Sequence, residues 1–167
     1  MQPILDSLLL DLADYEKGQP KHLQHLVKVH AFARLIGHAE QLEASTQFVL
    51  ELAALVHDVG INPSRAKYNS SAGRYQQIEG PPVARQLLLR YALAPDVVDR
   101  VCYLVAHHHT YTDIDGLDLR ILIEADFLVN LYEDNSSREA AQAALDRCFT
   151  TPTGRRLLVQ QFLTDLP

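Results

Sequence analysis

A histidine and an aspartate stand side by side at the end of a long apolar segment. The segment covers residues 48–56 and is followed by His57, Asp58 and, two residues later, Gly60, which favours the end of a helix. An imidazole nitrogen and a carboxylate oxygen are both ligands for borderline or hard divalent cations. The pair alone is weak evidence for a metal site, because such dipeptides arise by chance and often end helices harmlessly.

Other residues of the same types strengthen the prediction of a metal site. His25 precedes the pair in an amphipathic segment, three consecutive histidines occupy positions 107–109, and Asp126 lies in the apolar stretch 121–129. Burial of a carboxylate in such surroundings costs several kcal/mol unless it is paired or bound to a metal. Histidine followed by His-Asp and then by aspartate, in apolar settings, is hard to explain by packing alone.

This order resembles the HD superfamily of metal-dependent phosphohydrolases, in which a histidine, a His-Asp pair and a distant aspartate all lie on helices. Three stretches carry the resemblance: HLVKVHAFA (25–33), LAALVHDVG (52–60) and ILIEADFL (121–128). The resemblance implies an all-α fold, with residues 1–167 forming a single compact HD-domain helical bundle. The core would cover about 20–135, with the N- and C-terminal helices packed on it.

The resemblance also implies the chemistry. One divalent cation would be bound by His25, His57, Asp58 and Asp126, and its identity stays open among Mn, Fe, Co, Ni, Zn and Mg. Such a cation lowers the pKa of its bound water and neutralises charge that develops on phosphorus. Asp58 is the expected catalytic residue, because its two oxygens could bind the cation and orient that water. The expected reaction hydrolyses a phosphate ester of a nucleotide or another small phosphorylated metabolite.

Two other functions stay open on the same fold. Relatives with diiron centres perform oxygen-dependent cleavage, and the histidine triplet would suit iron. A chain that retains the ligands could instead sense a nucleotide without turnover. Phosphatase activity that is lost in a His57→Ala protein would favour the hydrolase, iron content with oxygen consumption the second function, and tight binding without turnover the third.

The histidine triplet is a candidate for a second metal site or a phosphate site. Two-metal members of the superfamily use additional histidines between the His-Asp pair and the last aspartate, often including two adjacent ones. The apolar spacing of Val101, Leu104 and Val105 projects best onto His108. The alternative is one inward histidine with two exposed ones at a helix end. The triplet consists of His107, His108 and His109.

One departure from the family pattern puts a second cation in doubt. Many two-metal members carry another histidine shortly before a Gly-Ala, near the start of the helix after the insert that follows the His-Asp pair. This chain has QQIEGPP at residues 76–82, with no histidine. Glu79 could replace the histidine as an oxygen ligand or a base, or the second site is weak or empty.

Helical periodicity covers almost the whole chain, except for residues 60–82. This stretch is rich in Gly, Pro, Asn and Ser, so we predict a long polar loop whose residues 61–79 form a lid over the metal site. Its cations and tyrosines, and one lysine a turn after His25, are candidates for contacting substrate phosphate. These candidates are Lys28, Lys67, Tyr68, Arg74 and Tyr75.

Three further histidines do not fit the metal pattern. His22 and His30 fall off the main apolar stripe of their helix, and His38 follows Gly37 at the expected helix end, where an imidazolium would suit the helix dipole. We predict that these three side chains are structural or solvated.

Length and composition limit the classes of function. A chain of 167 residues, 47% of them hydrophobic, is long enough for one domain with a real core. The net charge of -6 argues against a broad nucleic-acid surface. The absence of a bilayer-length apolar stretch, a signal-peptide start and a cysteine framework favours a cytoplasmic protein. We expect a small phosphorylated substrate, no duplex nucleic acid and no membrane as partners, and leave a homodimer open.

Overall fold

Helices provide the secondary structure of residues 1–164, which are the residues that the computed structural model describes. No β-strand occurs among them, so the prediction of an all-α fold is confirmed. In chain order the helices are α1 (Gln2–Tyr15), α2 (Pro20–Ala39), α3 (Ala44–Val56), α4 (Ile61–Tyr68), α5 (Gly73–Leu88), α6 (Pro95–His107), α7 (Leu117–Glu133), α8 (Arg138–Cys148), α9 (Pro152–Leu158) and a π-helical turn (Val159–Leu163).

Helix α3 forms the centre of the core. Its residues 49–56 are all buried, because α1, α2, α6 and α7 pack around it. A helix that is apolar on almost every side can be stable only when it is surrounded by others in this way. His57 and Asp58 follow this helix directly and therefore lie inside the core, although both are polar.

Helix α2 packs closely against α3 and does not end at Gly37, where the sequence suggests a stop. It continues to Ala39. A Cβ atom added at Gly37 would lie 2.1 Å from Oε1 of Gln47 on α3. Glycine therefore stands at position 37 because the two helices approach closely there, and not because the helix ends.

The prediction of a long loop over residues 60–82 is wrong, because α4 and most of α5 occupy this stretch. Pro63 lies in the first turn of α4, where its missing N–H would have had no partner within the helix. Asn69 follows the last residue of α4 with a left-handed backbone (φ 51°), a conformation that commonly ends a helix. The residues that suggested a loop are therefore start and stop signals of helices.

Helix α5 begins at Gly73 rather than at Pro82, and it passes through Gly80-Pro81-Pro82 without a break. A Cβ atom at Gly60 would lie 2.8 Å from the backbone nitrogen of Gly80, and one at Gly80 would lie 2.8 Å from Val105 of α6. Glycines at both positions thus let α5 approach the segment that follows Asp58, which brings α5 and α6 to the site.

Helix α7 contains the apolar stretch 121–129 in which Asp126 lies. Its buried Glu124 accepts hydrogen bonds from the backbone nitrogens of Thr150 (2.7 Å) and Thr151 (2.9 Å) at the start of α9. Burial raises the pKa of Glu124 although these hydrogen bonds oppose the shift. This contact fixes the C-terminal helices to α7. None of the helices in residues 1–164 is long and apolar enough to cross a membrane.

Candidate metal centre

Four side chains from three parts of the fold converge at the end of α3. His25 lies on the buried face of α2, His57 and Asp58 follow α3, and Asp126 lies on the buried face of α7. Helix α2 packs against both α3 and α7, which brings these positions together. All four side chains are buried.

The Nε2 atoms of the two histidines are close enough to each other, and to each of the two aspartates, to share a cation. Nε2 of His25 lies 3.3 Å from Nε2 of His57 and 3.2 Å from Oδ1 of Asp126. Oδ2 of Asp58 lies 3.5 Å from His25 and 3.6 Å from His57. Two ligand atoms that are each about 2.1 Å from a cation can be separated by at most about 4.2 Å. The predicted convergence of His25, His57, Asp58 and Asp126 is present, and binding of the cation by them stays a prediction.

The orientation of the two histidine rings also suits a cation. Nδ1 of His57 lies 2.9 Å from the carbonyl oxygen of Ala54, and Nδ1 of His25 lies 3.4 Å from a carboxylate oxygen of Glu133. These acceptors favour the tautomer with the proton on Nδ1, so that Nε2 presents its lone pair to the centre. Histidines that bind metals usually make such a hydrogen bond through the other ring nitrogen.

Without a cation, the charged side chains of the centre shift one another's pKa values. Burial lowers the pKa of His25 and His57, but Asp58 and Asp126 outweigh this effect and raise both pKa values above the ordinary one. Burial raises the pKa of Asp58 and Asp126, but the adjacent imidazoles hold both below the usual range. These shifts favour ionised carboxylates, and a divalent cation would compete with protons for the imidazole nitrogens.

A second group of ligands shares Asp58 with the first. Its Oδ1 atom lies 3.4 Å from Nε2 of His108, which is fully buried, and His109 belongs to the same group. Burial, followed by the charge of His108, lowers the pKa of His109 to about 4, so this ring is neutral near pH 7. Nε2 of His108 and of His109 is buried and has no hydrogen-bond partner within residues 1–164. Such orphaned atoms require an explanation, and a second cation bridged by Asp58 would provide one.

The other two candidates for the second site lie elsewhere. His107 stacks on Tyr103, with ring centroids 4.0 Å apart, and its Nδ1 lies 2.7 Å from the carbonyl oxygen of Tyr103. Glu79 accepts hydrogen bonds of 2.7 Å from Lys67 and from Tyr68. The suggestion that Glu79 replaces the missing family histidine is therefore not supported, because its carboxylate forms an ion pair with Lys67 of α4 instead.

Gln76 is the inward-facing residue on that part of α5. It is buried, its Nε2 donates a 2.8 Å hydrogen bond to the carbonyl oxygen of Ser71, and its buried Oε1 has no partner among the described residues. It stands one helical turn before Gly80, in the stretch where the family pattern has a histidine. The sequence contained this position, but only the helical course of α5 shows that Gln76 faces inward.

The predicted lid residues form a separate cluster with each other. Tyr68 and Tyr75 stack with ring centroids 4.2 Å apart, and Arg74 donates a 3.0 Å hydrogen bond to the hydroxyl of Tyr75. Lys67 pairs with Glu79. Residues 61–79 therefore belong to α4, α5 and the turn between them rather than to a loop, and contact of these side chains with substrate stays a prediction. Outside this cluster, Lys28 forms an ion pair with Glu133.

A cavity of about 450 Å³ opens onto His25 and Asp58. The residues predicted to contact substrate do not line this cavity within the described part of the chain. These residues are Lys28, Lys67, Tyr68, Arg74 and Tyr75. Part of the wall is instead basic, with Lys21 at the start of α2 and Arg65 on α4, and another part is acidic, with Glu133 and Asp134 at the end of α7. Lys21 and Arg65 were missed because residues 61–68 looked like a loop and the start of α2 carries no motif.

His22 also lines this cavity, contrary to the prediction that it is only structural or solvated. Its position three residues before His25, on one face of α2, was a signal that could have revealed this. His30 and His38 agree with the prediction. Nε2 of His30 lies 3.1 Å from Glu51, and His38 is exposed near the same carboxylate.

Comparison with known proteins identifies the family. The model of the HD domain family matches residues 23–148, which is most of the chain. The chain belongs to the HD domain family. The resemblance recognised in the sequence is thus confirmed, and the family is one of metal-dependent phosphohydrolases, with whose chemistry the His/Asp cluster agrees. No curated protein and no solved structure matched the chain.

Cation binding should weaken as the pH falls, and the weakening should begin above pH 6.5, the ordinary histidine pKa. The raised pKa values of His25 and His57 mean that protons compete for Nε2 at a higher pH than they would at isolated imidazoles. The expected loss in affinity is about tenfold per pH unit for each displaced proton. Calorimetric titration with Mn²⁺ at several pH values checks this, and an affinity that stays constant until well below pH 6.5 would contradict it.

His108→Ala should lower the amount of cation bound per protein, whereas His107→Ala should not. The reason is that His108 faces Asp58, while His107 stacks on Tyr103. Metal analysis of both variants, after dialysis against the same cation, measures the difference. The opposite pattern would show that the inward member of the triplet has been misassigned.

Proposed function

We propose that this HD domain protein is a metal-dependent phosphohydrolase that hydrolyses a phosphate ester of a nucleotide or another small phosphorylated metabolite. The observation that carries the proposal is the convergence of His25, His57, Asp58 and Asp126 beside a cavity that a small molecule can enter and that His25 and Asp58 line. Buried ligands with one open side suit catalysis, because substrate and water can reach a cation held there.

The residues of the centre have distinct tasks in this proposal. A divalent cation held by the four residues supplies positive charge to the phosphate and makes a coordinated water more acidic. Asp58 faces His25 and His57 with Oδ2 and His108 with Oδ1. Its carboxylate could therefore coordinate the cation and also accept a hydrogen bond from the attacking water. Asn130 donates a 2.8 Å hydrogen bond to Oδ1 of Asp126 and thereby keeps that carboxylate turned towards the histidines.

The cavity supports a small, charged substrate. A volume of about 450 Å³ lies within the range of small-molecule sites and is far too small for a nucleic-acid duplex. Lys21 and Arg65 form no hydrogen bond or ion pair through their side chains with another residue in the described part of the chain, so both are free to contact phosphate oxygens. Glu133 and Asp134 can accept hydrogen bonds from hydroxyl or amino groups elsewhere on the substrate.

The direct test is a panel of phosphate esters, including nucleotides, assayed with Mn²⁺, Co²⁺, Ni²⁺ and Fe²⁺. Activity should be lost in His57→Ala and retained in His30→Ala, which removes a histidine of α2 that pairs with Glu51 away from the centre. Tight nucleotide binding without turnover under all conditions would indicate a sensing module instead.

A second candidate function follows from the sharing of Asp58 by two ligand groups, because a shared carboxylate favours a centre with two cations. Two iron ions in that arrangement would agree with oxygen-dependent cleavage. Protein purified without chelators that contains two irons and consumes oxygen with a substrate, and that has no phosphatase activity, would favour this candidate over the first.

Arg65→Ala should lower kcat/KM for a phosphate ester about tenfold to a hundredfold, because a hydrogen bond to a charged group contributes about 1.5–3 kcal/mol. Arg74→Ala is the matched control, since Arg74 is also on the segment after Asp58 but contacts Tyr75 outside the cavity. Steady-state kinetics with the best substrate of the panel gives both values. Equal effects of the two substitutions would remove Arg65 from the phosphate site.

A further inference from the structure

His22 has a ring nitrogen that is buried and unsatisfied at the edge of the metal centre. Its Nε2 atom has no hydrogen-bond partner in residues 1–164, although the ring lines the cavity that opens onto Asp58. That atom lies 3.9 Å from Oδ2 of Asp58, the oxygen that His25 and His57 also face. A buried polar atom without a partner is costly, so a group that is bound in the functional protein would explain it.

The other ring nitrogen of His22 is held by a buried carboxylate. Nδ1 lies 2.7 Å from Oε2 of Glu16, whose side chain is fully buried, and Asn62 of α4 donates a 3.3 Å hydrogen bond to the same oxygen. An ionised carboxylate can only accept, so the proton lies on Nδ1 and Nε2 presents a lone pair to the cavity. A carboxylate that orients a histidine in this way is the usual outer partner of a metal ligand.

The same orientation recurs at two other rings that meet Asp58. His57 and His108 each turn Nδ1 to a carbonyl oxygen at 2.9 Å and Nε2 towards Asp58. His30 shows the opposite arrangement on the same helix as His22, because its Nε2 is the atom that meets Glu51, away from the centre. The orientation of His22 is therefore that of the histidines at the centre and not that of the structural His-Glu pair.

We infer that His22 is a further ligand of the cation, bound through Nε2 and oriented by Glu16. The separation of 3.9 Å from Oδ2 of Asp58 is below the limit of about 4.2 Å for two ligand atoms on one ion. The inference rests on the metal centre of the proposed function, but it does not depend on the substrate. His22 lines the same cavity as Lys21 and Arg65, so a ligand at this edge would limit the positions at which substrate could reach the ion.

The test measures the affinity of the metal-depleted full-length protein for Mn²⁺ by calorimetry and the absorption spectrum of the Co²⁺ complex, which reports the number and type of ligands. His22→Ala should lower the affinity about tenfold to a hundredfold and change the Co²⁺ spectrum. Glu16→Gln retains the shape of the side chain but not its charge, so it should lower the affinity by a smaller factor. His30→Ala, which breaks the other His-Glu pair, should change neither quantity.

The outcomes separate this inference from the proposed function. Wild-type affinity and an unchanged Co²⁺ spectrum in His22→Ala would overturn the inference. The inference would also be overturned if His22→Ala retained its Mn²⁺ affinity but bound inorganic phosphate more weakly, because His22 would then contact the anion. If His22→Ala does not fold, as judged by circular dichroism, His22→Gln fills the same space and takes its place. Metal binding that depends on His22 in a protein without phosphatase activity would refute the hydrolase and leave the inference standing.

Discussion

Two ionised carboxylates buried at the end of the central helix are the constraint on which the rest of the structure depends. Asp58 and Asp126 lie in the core, where an unpaired charge would cost several kcal/mol. Each of them lies close to His25 and His57, and the carboxylates raise the pKa values of these two imidazoles. A divalent cation bound between these groups would neutralise the negative charge of the carboxylates. The way the core is charged therefore favours a cation site at this point.

Helices that pack closely, rather than long loops, bring the residues of the site together. Because α3 is apolar on almost all sides, its end places His57 and Asp58 in the core, and α2 and α7 each add a ligand from a buried face. Gly60 and Gly80 allow α5 to reach the same point, and α6 contributes His108 at its end. The candidate ligands thus lie on helices or directly after them, and such positions hold side chains more accurately than long loops do.

Helical spacing was sufficient to predict the all-α fold, because the apolar residues recur with a helical period over most of the chain. The family and the set of four residues followed from the resemblance of three stretches to the HD superfamily. The same spacing selected His108 within the triplet. The stretch 60–82 could not be read correctly, because the Gly, Pro and Asn residues that end and begin short helices also form loops. The error carried over to the side chains, since the face on which Glu79 lies depends on the course of α5. Partners distant in sequence, such as Glu133 for His25, leave no local pattern at all.

The candidate metal ligands are buried in the core, whereas the candidate substrate contacts lie on the cavity wall. This difference decides which substitutions can test the function. A substitution at Asp58 or Asp126 alters the charge balance of the core, so a loss of activity there would not separate lost chemistry from lost stability. Lys21 on the first turn of α2 and Arg65 on the last turn of α4 are both exposed, so truncation of either side chain leaves the packing intact. Effects at the wall therefore report on the substrate, while effects at the buried ligands report on the cation. Only a substrate whose turnover depends on both sets of residues would show that the cavity and the metal centre act together.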